Sequence, residues 1–187
     1  MLFLTATVAY SGQTLTRPRA EAILKAYEPF ARARNYPLEL AMGTAIEGGW
    51  QAKAYYILKE EGYIQITKNS NGKSDVAVTA RVTNEKWKVG TGTTVFPTLS
   101  VPTAVPRIIE INGISTEGTE AIVEFTYKWE LTPIGKKLTD AGVQLGGIAE
   151  MPTGISTTKV SREQAQFKLY DDGWRVVHTS DELNIRI

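Results

Sequence analysis

Cysteine is absent from the 187 residues, which removes disulfides, thiolate zinc sites, iron–sulfur clusters and cysteine nucleophiles from the chemistry open to this chain. Histidine occurs once, as His178. Without a second histidine or a cysteine, a zinc site would have to rest on carboxylates alone, which is not the usual donor set, so the sequence implies no metal and no cofactor. Net charge is nearly absent as well. Twenty-one Lys and Arg stand against 20 Asp and Glu, leaving no overall field to gather nucleic acid or an anionic membrane. No Gly-x-Ser-x-Gly elbow accompanies His178, so a Ser/His/acid triad lacks its nucleophile turn. Asn71-Gly72-Lys73-Ser74 keeps only the last letters of a phosphate-cradling loop, without its upstream glycine or following helix.

Long hydrophobic runs are missing too, with one short exception. Leu2 to Tyr10 is apolar and ends in small and polar residues, as the h-region and cleavage zone of a secretory signal do. It is too short to cross a bilayer and carries no basic n-region. Residues 1–14 therefore read either as a signal-like segment or as a plain edge strand. The favoured address is exported, periplasmic or cell envelope, with the cytoplasm as the alternative.

What is present is an ordinary globular composition, 42% hydrophobic and 22% charged, in a chain long enough to bury a core without staples. Thr16-Arg17-Pro18 supplies a hydroxyl cap and an early proline, the signature of a helix start. Ala20, Ile23, Leu24, Tyr27 and Phe30 follow at helical spacing. Leu38 to Ile46 reads as a short helix, and Trp50 to Glu61 as another that Gly62 ends. Two β-branched runs then flank Asn71-Gly72, predicting a hairpin, and strand character continues over Arg81 to Val89. Gly90 to Pro106, with Pro97, Pro102 and Pro106, reads as a long crossing loop.

The second half reads mainly as sheet. Arg107 to Ile114 and Glu120 to Leu131 are strands joined at Gly118. In the second, Ala121, Val123, Phe125, Tyr127, Trp129 and Leu131 alternate with polar residues, as when one face of a sheet is packed. Thr132-Pro133 opens a short helix that Gly142 closes, and Gly142 to Thr158 reads as a surface loop. In Ala165 to Val177 the alternation breaks only at Asp171-Asp172-Gly173. Those acids therefore belong to a tight turn and not to a catalytic pair, which needs convergence in a shielded cleft. The fold class is α+β: N-terminal helices with a winged-helix-like hairpin, packed with an antiparallel sheet of about five strands. Residues 15–90 form the helical lobe and 91–187 the β lobe, in one integrated domain.

Three functional classes emerge from these residues. The favoured one is an exported, non-catalytic binding or scaffolding protein, since no catalytic motif is found and only carboxylates such as Glu47 and Glu124 are left to meet in space. The second is a winged-helix nucleic-acid-binding protein. The order helix, strand, turn, strand over residues 50–80 motivates it, with Lys53, Lys59, Lys68 and Lys73 as its cations. Against it, Glu60 and Glu61 sit on the would-be recognition helix, and residues 63–90 carry five basic and two acidic side chains, a thin surplus for phosphate contact. The third is a small apolar-ligand pocket lined by Tyr127, Trp129 and Trp174. Of the four tryptophans, Trp129 and Trp174 fall at core-facing positions, Trp87 lies between two lysines, and Trp50 has no assigned role.

The run VEFTYKWELTPIGKKL, the later AQFKLYDDGWRV and the Leu15-Thr16-Arg17 helix start together resemble a set of uncharacterised bacterial proteins, many with export signals, as found in soil bacteria such as acidobacteria. The resemblance spans most of the chain. It implies export and one integrated α+β unit, and brings no activity with it. This chain lacks the lipobox cysteine that would carry a lipid anchor.

Overall fold

The computed structural model describes residues 14–40, 46, 51–91, 97–145 and 157–180. Its helices are α1 (Arg17–Ala26), α2 (Glu28–Ala31), α3 (Ala52–Glu60), α4 (Ala80–Asn84) and α5 (Pro133–Asp140). Its strands are β1 (Arg34–Glu39), β2 (Ile64–Lys68), β3 (Ser74–Val78), β4 (Lys88–Thr91), β5 (Pro97–Glu117), β6 (Glu120–Leu131), β7 (Val160–Tyr170) and β8 (Gly173–Thr179). Six strands form one sheet in the order β1-β5-β6-β7-β8, with β4 also paired to β5, while β2 and β3 pair only with each other. The fold is therefore α+β with a large antiparallel sheet. Of the segment 1–14, read as a signal-like stretch or an edge strand, residues 1–13 lie outside the described residues.

The chain divides into two compact units assembled from separated segments. One comprises Met1–Ala31, Ile108–Lys128 and Val160–Ile187; the other comprises Arg32–Arg107 and Trp129–Lys159.

In the first unit, α1 begins after Thr16 with Pro18 in its first turn, and buries Ala20 and Leu24. Phe30 of α2 meets the rings of Phe125 and Tyr127 edge-on, at centroid distances of 5.5 and 5.6 Å. That is the favoured geometry for aromatic quadrupoles. The alternation expected of β6 is realised here: Ala121, Val123, Phe125 and Tyr127 are buried. On β7, Ala165 faces Val123 and Phe167 faces Ala121. Complete burial of each phenylalanine contributes about 1.5–3 kcal/mol. The β7–β8 hairpin turns on Asp171 and Asp172, both exposed, with Tyr170 paired to Gly173. Neither aspartate takes a positive φ; Gly173 does, at 129°, a conformation that costs a residue with a Cβ dearly. A register shift between Gln166 and Phe167 marks a bulge in the β8 pairing.

The second unit has its own core, in which Tyr36, Leu38, Ala54, Tyr55, Leu58, Ile64, Val82, Leu99, Val101, Ile134 and Leu138 are buried together. Its strands overturn three expectations. Leu38 belongs to strand β1, because Tyr36 and Leu38 alternate inward and pair with Val101 and Leu99 of β5. Residues 41–45 of the expected helix lie outside the described residues. Gly90 to Pro106 is largely strand: β4 ends at Thr91 and β5 begins at Pro97. The prolines mislead because Pro97 opens its strand and Pro102 lies opposite Asn35, next to the register shift in β1, positions where a strand tolerates a missing donor. The third correction concerns Arg81 to Val89. Thr79 caps a helix there, its hydroxyl accepting from the Arg81 N–H at 3.3 Å, so α4 occupies 80–84 before β4 begins.

The predicted hairpin is present, with a longer loop than its Asn-Gly pair implies. Asn69 Oδ1 accepts from the N–H groups of Asn71 and Lys73, both at 3.0 Å, and Gly72 takes φ 71°. A side-chain amide thus organises the turn, leaving the strands to pair from Lys68 with Ser74 outward.

Helix α5 is held on β5 by backbone contact. Thr132 donates its N–H to the Thr103 carbonyl at 3.0 Å and its hydroxyl to the Pro102 carbonyl at 2.7 Å. The same hydroxyl accepts from the Gly135 N–H at 3.0 Å. The Thr132-Pro133-Ile134-Gly135 sequence is therefore both a helix cap and a docking device.

Candidate functional site

A polar and aromatic cluster lies where the β2–β3 hairpin meets α3 and α4. Tyr63 follows the α3 C-terminus, and the Thr79 N–H donates to its carbonyl at 2.9 Å, so the hairpin register brings residues 63 and 79 side by side. The Tyr63 ring stacks on Trp87 at 4.0 Å with 21° between planes. The Arg81 guanidinium lies 4.2 Å from the same ring, and two planar groups at such distances must take opposite faces. Arg81 Nε donates to Glu85 Oε1 at 2.8 Å, and the Tyr63 hydroxyl donates to Glu85 Oε2 at 3.1 Å. A further Arg81 nitrogen donates to the Glu61 carbonyl.

Electrostatics follow from these contacts. The Glu85 carboxyl is held below its ordinary value chiefly by the hydrogen bond from Arg81, with those from Tyr63 and Trp87 adding to it. The Tyr63 phenol is raised, first by burial and then by its bond to Glu85. Around neutral pH, Glu85 is thus a charged acceptor and Tyr63 a neutral donor. The cluster closes the base of the hairpin.

Elsewhere in the same unit, exposed cations recur. Lys53, Tyr56 and Lys59 recur at three-residue spacing on α3 and are all exposed, and Tyr56 exposes 47% of its surface. Lys53 Nζ donates to the Ala141 carbonyl at 3.1 Å, which sets a cation at the C-terminal end of α5, where the helix dipole favours one. Lys68 and Lys73 bracket the hairpin turn, both exposed. Lys86 and Lys88, also exposed, flank Trp87, and Lys86 has a φ of 57°. The acids are spoken for more often: Glu61 pairs with Lys137, Glu85 with Arg81, Glu130 with Arg107 and Asp140 with Lys136.

The aromatic pocket candidates are distributed differently. Tyr127 and Trp174 are buried in the first unit, 3% and 6% exposed, Tyr127 with its ring against Phe30 and Trp174 across from Leu169. Trp129 is half-buried and belongs to the second unit. Asp172 pairs with Arg175 at the hairpin tip. His178 is exposed on β8 opposite Gln166. Glu124 joins Arg162 at 2.6 Å and Gln164 at 3.0 Å on the surface of the sheet. Glu47 and Trp50 lie outside the described residues. Among the described residues no three His, Asp or Glu side chains gather as metal ligands would, and no helix is long and apolar enough to cross a membrane.

Two features were missed in the sequence. The Tyr63–Trp87 stack joins residues 24 apart, and only the hairpin register could have announced it. Glu163, 3% exposed, occupies an inward position opposite Phe125; its break in the Ser161-x-Glu163-x-Ala165-x-Phe167 alternation was the available signal.

By its architecture the chain is an α+β protein in which a six-stranded antiparallel sheet accompanies a two-stranded hairpin, β2 and β3, that pairs only with itself. No family model matches the chain, and neither a curated protein sequence nor a solved structure matches it.

Proposed function

We propose that this chain is a non-catalytic binding protein, exported to the periplasm or cell envelope. The observation that carries the binding reading is the Tyr63–Arg81–Glu85–Trp87 cluster. Its hydrogen bonds run within the cluster or to neighbouring backbone, and its ionisable groups are driven away from neutrality in both directions. Such a cluster stiffens a surface and offers no general acid or base. Export rests on the apolar Leu2–Tyr10 run and on the resemblance of the helix start, the strand Val123–Leu131 and the hairpin Ala165–Val176 to proteins that carry export signals.

The test is a thermal-shift screen against single-stranded and duplex oligonucleotides, oligosaccharides, peptides and small apolar molecules, with every ligand that shifts the midpoint recovered and analysed by mass spectrometry. Stabilisation that rises with ligand concentration, with the ligand recovered unaltered, is the expected result. Conversion of a bound ligand to product would overturn the reading. Fractionation of cells producing the native protein tests the address, and recovery in the cytoplasm alone would remove export.

A further inference from the structure

We infer that the binding face is the exposed side of α3 and that its partner is a single-stranded nucleic acid, an inference that rests on the binding reading above. Three observations support it. First, the two units differ in charge although the whole chain is balanced. The unit containing α3 carries thirteen Lys and Arg against nine Asp and Glu, and the other carries eight against eleven. The balance of the whole chain is therefore the sum of a basic unit and an acidic one.

Second, ion pairing leaves the surplus unchanged and shows which side chains carry it. Among the described residues, Lys59, Lys73, Lys86 and Lys88 have no carboxylate partner, and Lys53 spends one of its three donors on the Ala141 carbonyl. Four acids of the same unit, Glu61, Glu85, Glu130 and Asp140, are neutralised by pairs. Glu60, exposed at the end of α3, is the opposing charge nearest in sequence to the lysine stripe.

Third, an exposed aromatic ring stands between two exposed lysines of α3. Lys53, Tyr56 and Lys59 advance three residues at a time along one helical face, and Tyr56 is 47% exposed. Cations alternating with an open aromatic face match a strand of phosphodiesters carrying unstacked bases, because the lysines meet phosphate while a base stacks on the ring. A duplex keeps its bases stacked inside, where Tyr56 cannot use them, and an anionic lipid surface presents nothing flat for the ring.

Fluorescence anisotropy with a labelled fifteen-nucleotide thymidine strand tests this on the full chain. Expected are saturable binding and a log–log salt slope near −1.4, about −0.7 for each of the two phosphates that Lys53 and Lys59 neutralise. Tyr56→Ala should weaken binding about tenfold and Tyr56→Phe should leave it intact, while Lys53→Ala with Lys59→Ala should flatten the salt slope. Circular dichroism melts of each variant separate these effects from misfolding, since all three positions are exposed. Equal affinity for duplex, equal affinity for vesicles of anionic phospholipid, or affinity unchanged in Tyr56→Ala would each overturn the inference. Loss of the inference alone is recognisable: the thymidine strand fails to bind while another ligand class stabilises the protein and is recovered unaltered. Turnover of a ligand strikes instead at the binding reading.

Discussion

Replacing Gly135 with alanine tests how α5 is seated. Gly135 lies in the first turn of the helix, where alanine would ordinarily stabilise by about 1 kcal/mol. A Cβ at this position, however, would overlap the Thr103 carbonyl oxygen and stand 2.8 Å from its carbon and 3.0 Å from its Cα. Carbon atoms prefer about 3.5–4.0 Å. The obstacle is backbone within a paired strand, so α5 has to withdraw by about 1 Å. That movement strains the Thr132 bonds to Thr103 and Pro102 and loosens Ile134 and Leu138, 5% and 0% exposed. Overpacking costs about 1–3 kcal/mol and each weakened hydrogen bond about 0.5–1.5 kcal/mol. After the propensity gain is offset, a net loss of about 1–5 kcal/mol, centred near 3, remains. Urea denaturation followed by circular dichroism reads it directly, with Gly90→Ala as the control, because a Cβ at Gly90 meets nothing within 4 Å and should shift stability by less than about 0.5 kcal/mol. An unchanged or raised midpoint for Gly135→Ala would refute the reasoning.

The remaining predictions concern the core, the charged pairs and the hairpin. Phe125→Ala removes a fully buried ring that Phe30 and Tyr127 contact and should cost about 3–5 kcal/mol in the same denaturation assay; a loss below 1 kcal/mol would contradict its place in the core. Glu85 and Glu124 are held below the ordinary carboxylate value chiefly by hydrogen bonds from Arg81 and Arg162. Their stabilisation is therefore complete above the unfolded carboxylate pKa and is lost as pH falls through the folded value. A Glu85→Gln, Glu124→Gln variant should accordingly lose less stability than wild type below about pH 4.5, and parallel acid curves would count against those pairs. Gly173→Val, forced to φ 129°, should cost about 1–3 kcal/mol, whereas Asp171→Asn and Asp172→Asn should keep the fold and any ligand binding. Loss of binding by the folded Asn variants would make the turn acids part of a site.

Local signals were legible in the sequence because short-range chemistry enforces them. Thr16 with Pro18 and Thr132 with Pro133 begin helices, Gly173 ends the turn it was assigned to, and the apolar face of β6 is the buried one from Ala121 to Tyr127. Errors arose where pairing partners distant in the chain decide the outcome. β5 is a strand despite its prolines because β1 pairs with it from Thr98 to Ala104 and β4 from Pro97 to Ser100, with Pro97 at the strand start and Pro102 beside the register shift. β1 is a strand because β5 accepts it, and the cap from Thr79 outweighs the β-branched character of Val82 and Thr83. The candidate site was half visible. Lys53, Lys59, Lys68 and Lys73 follow from the helix, strand, turn, strand order, yet the charge difference between units depends on segments that interleave along the chain, and the Tyr63–Trp87 stack depends on register. Neither is written in any one window of residues.

The account holds that the aromatic and acidic landmarks of this chain fill and brace it, leaving a surface that binds without reacting. The most direct test is the fate of the bound thymidine strand. After prolonged incubation with saturating protein at neutral pH, mass spectrometry should return the full-length, unmodified oligonucleotide, bound with a salt-dependent affinity that Tyr56→Ala weakens. Shortened or modified oligonucleotide, formed by the wild-type protein in proportion to its concentration, would contradict it.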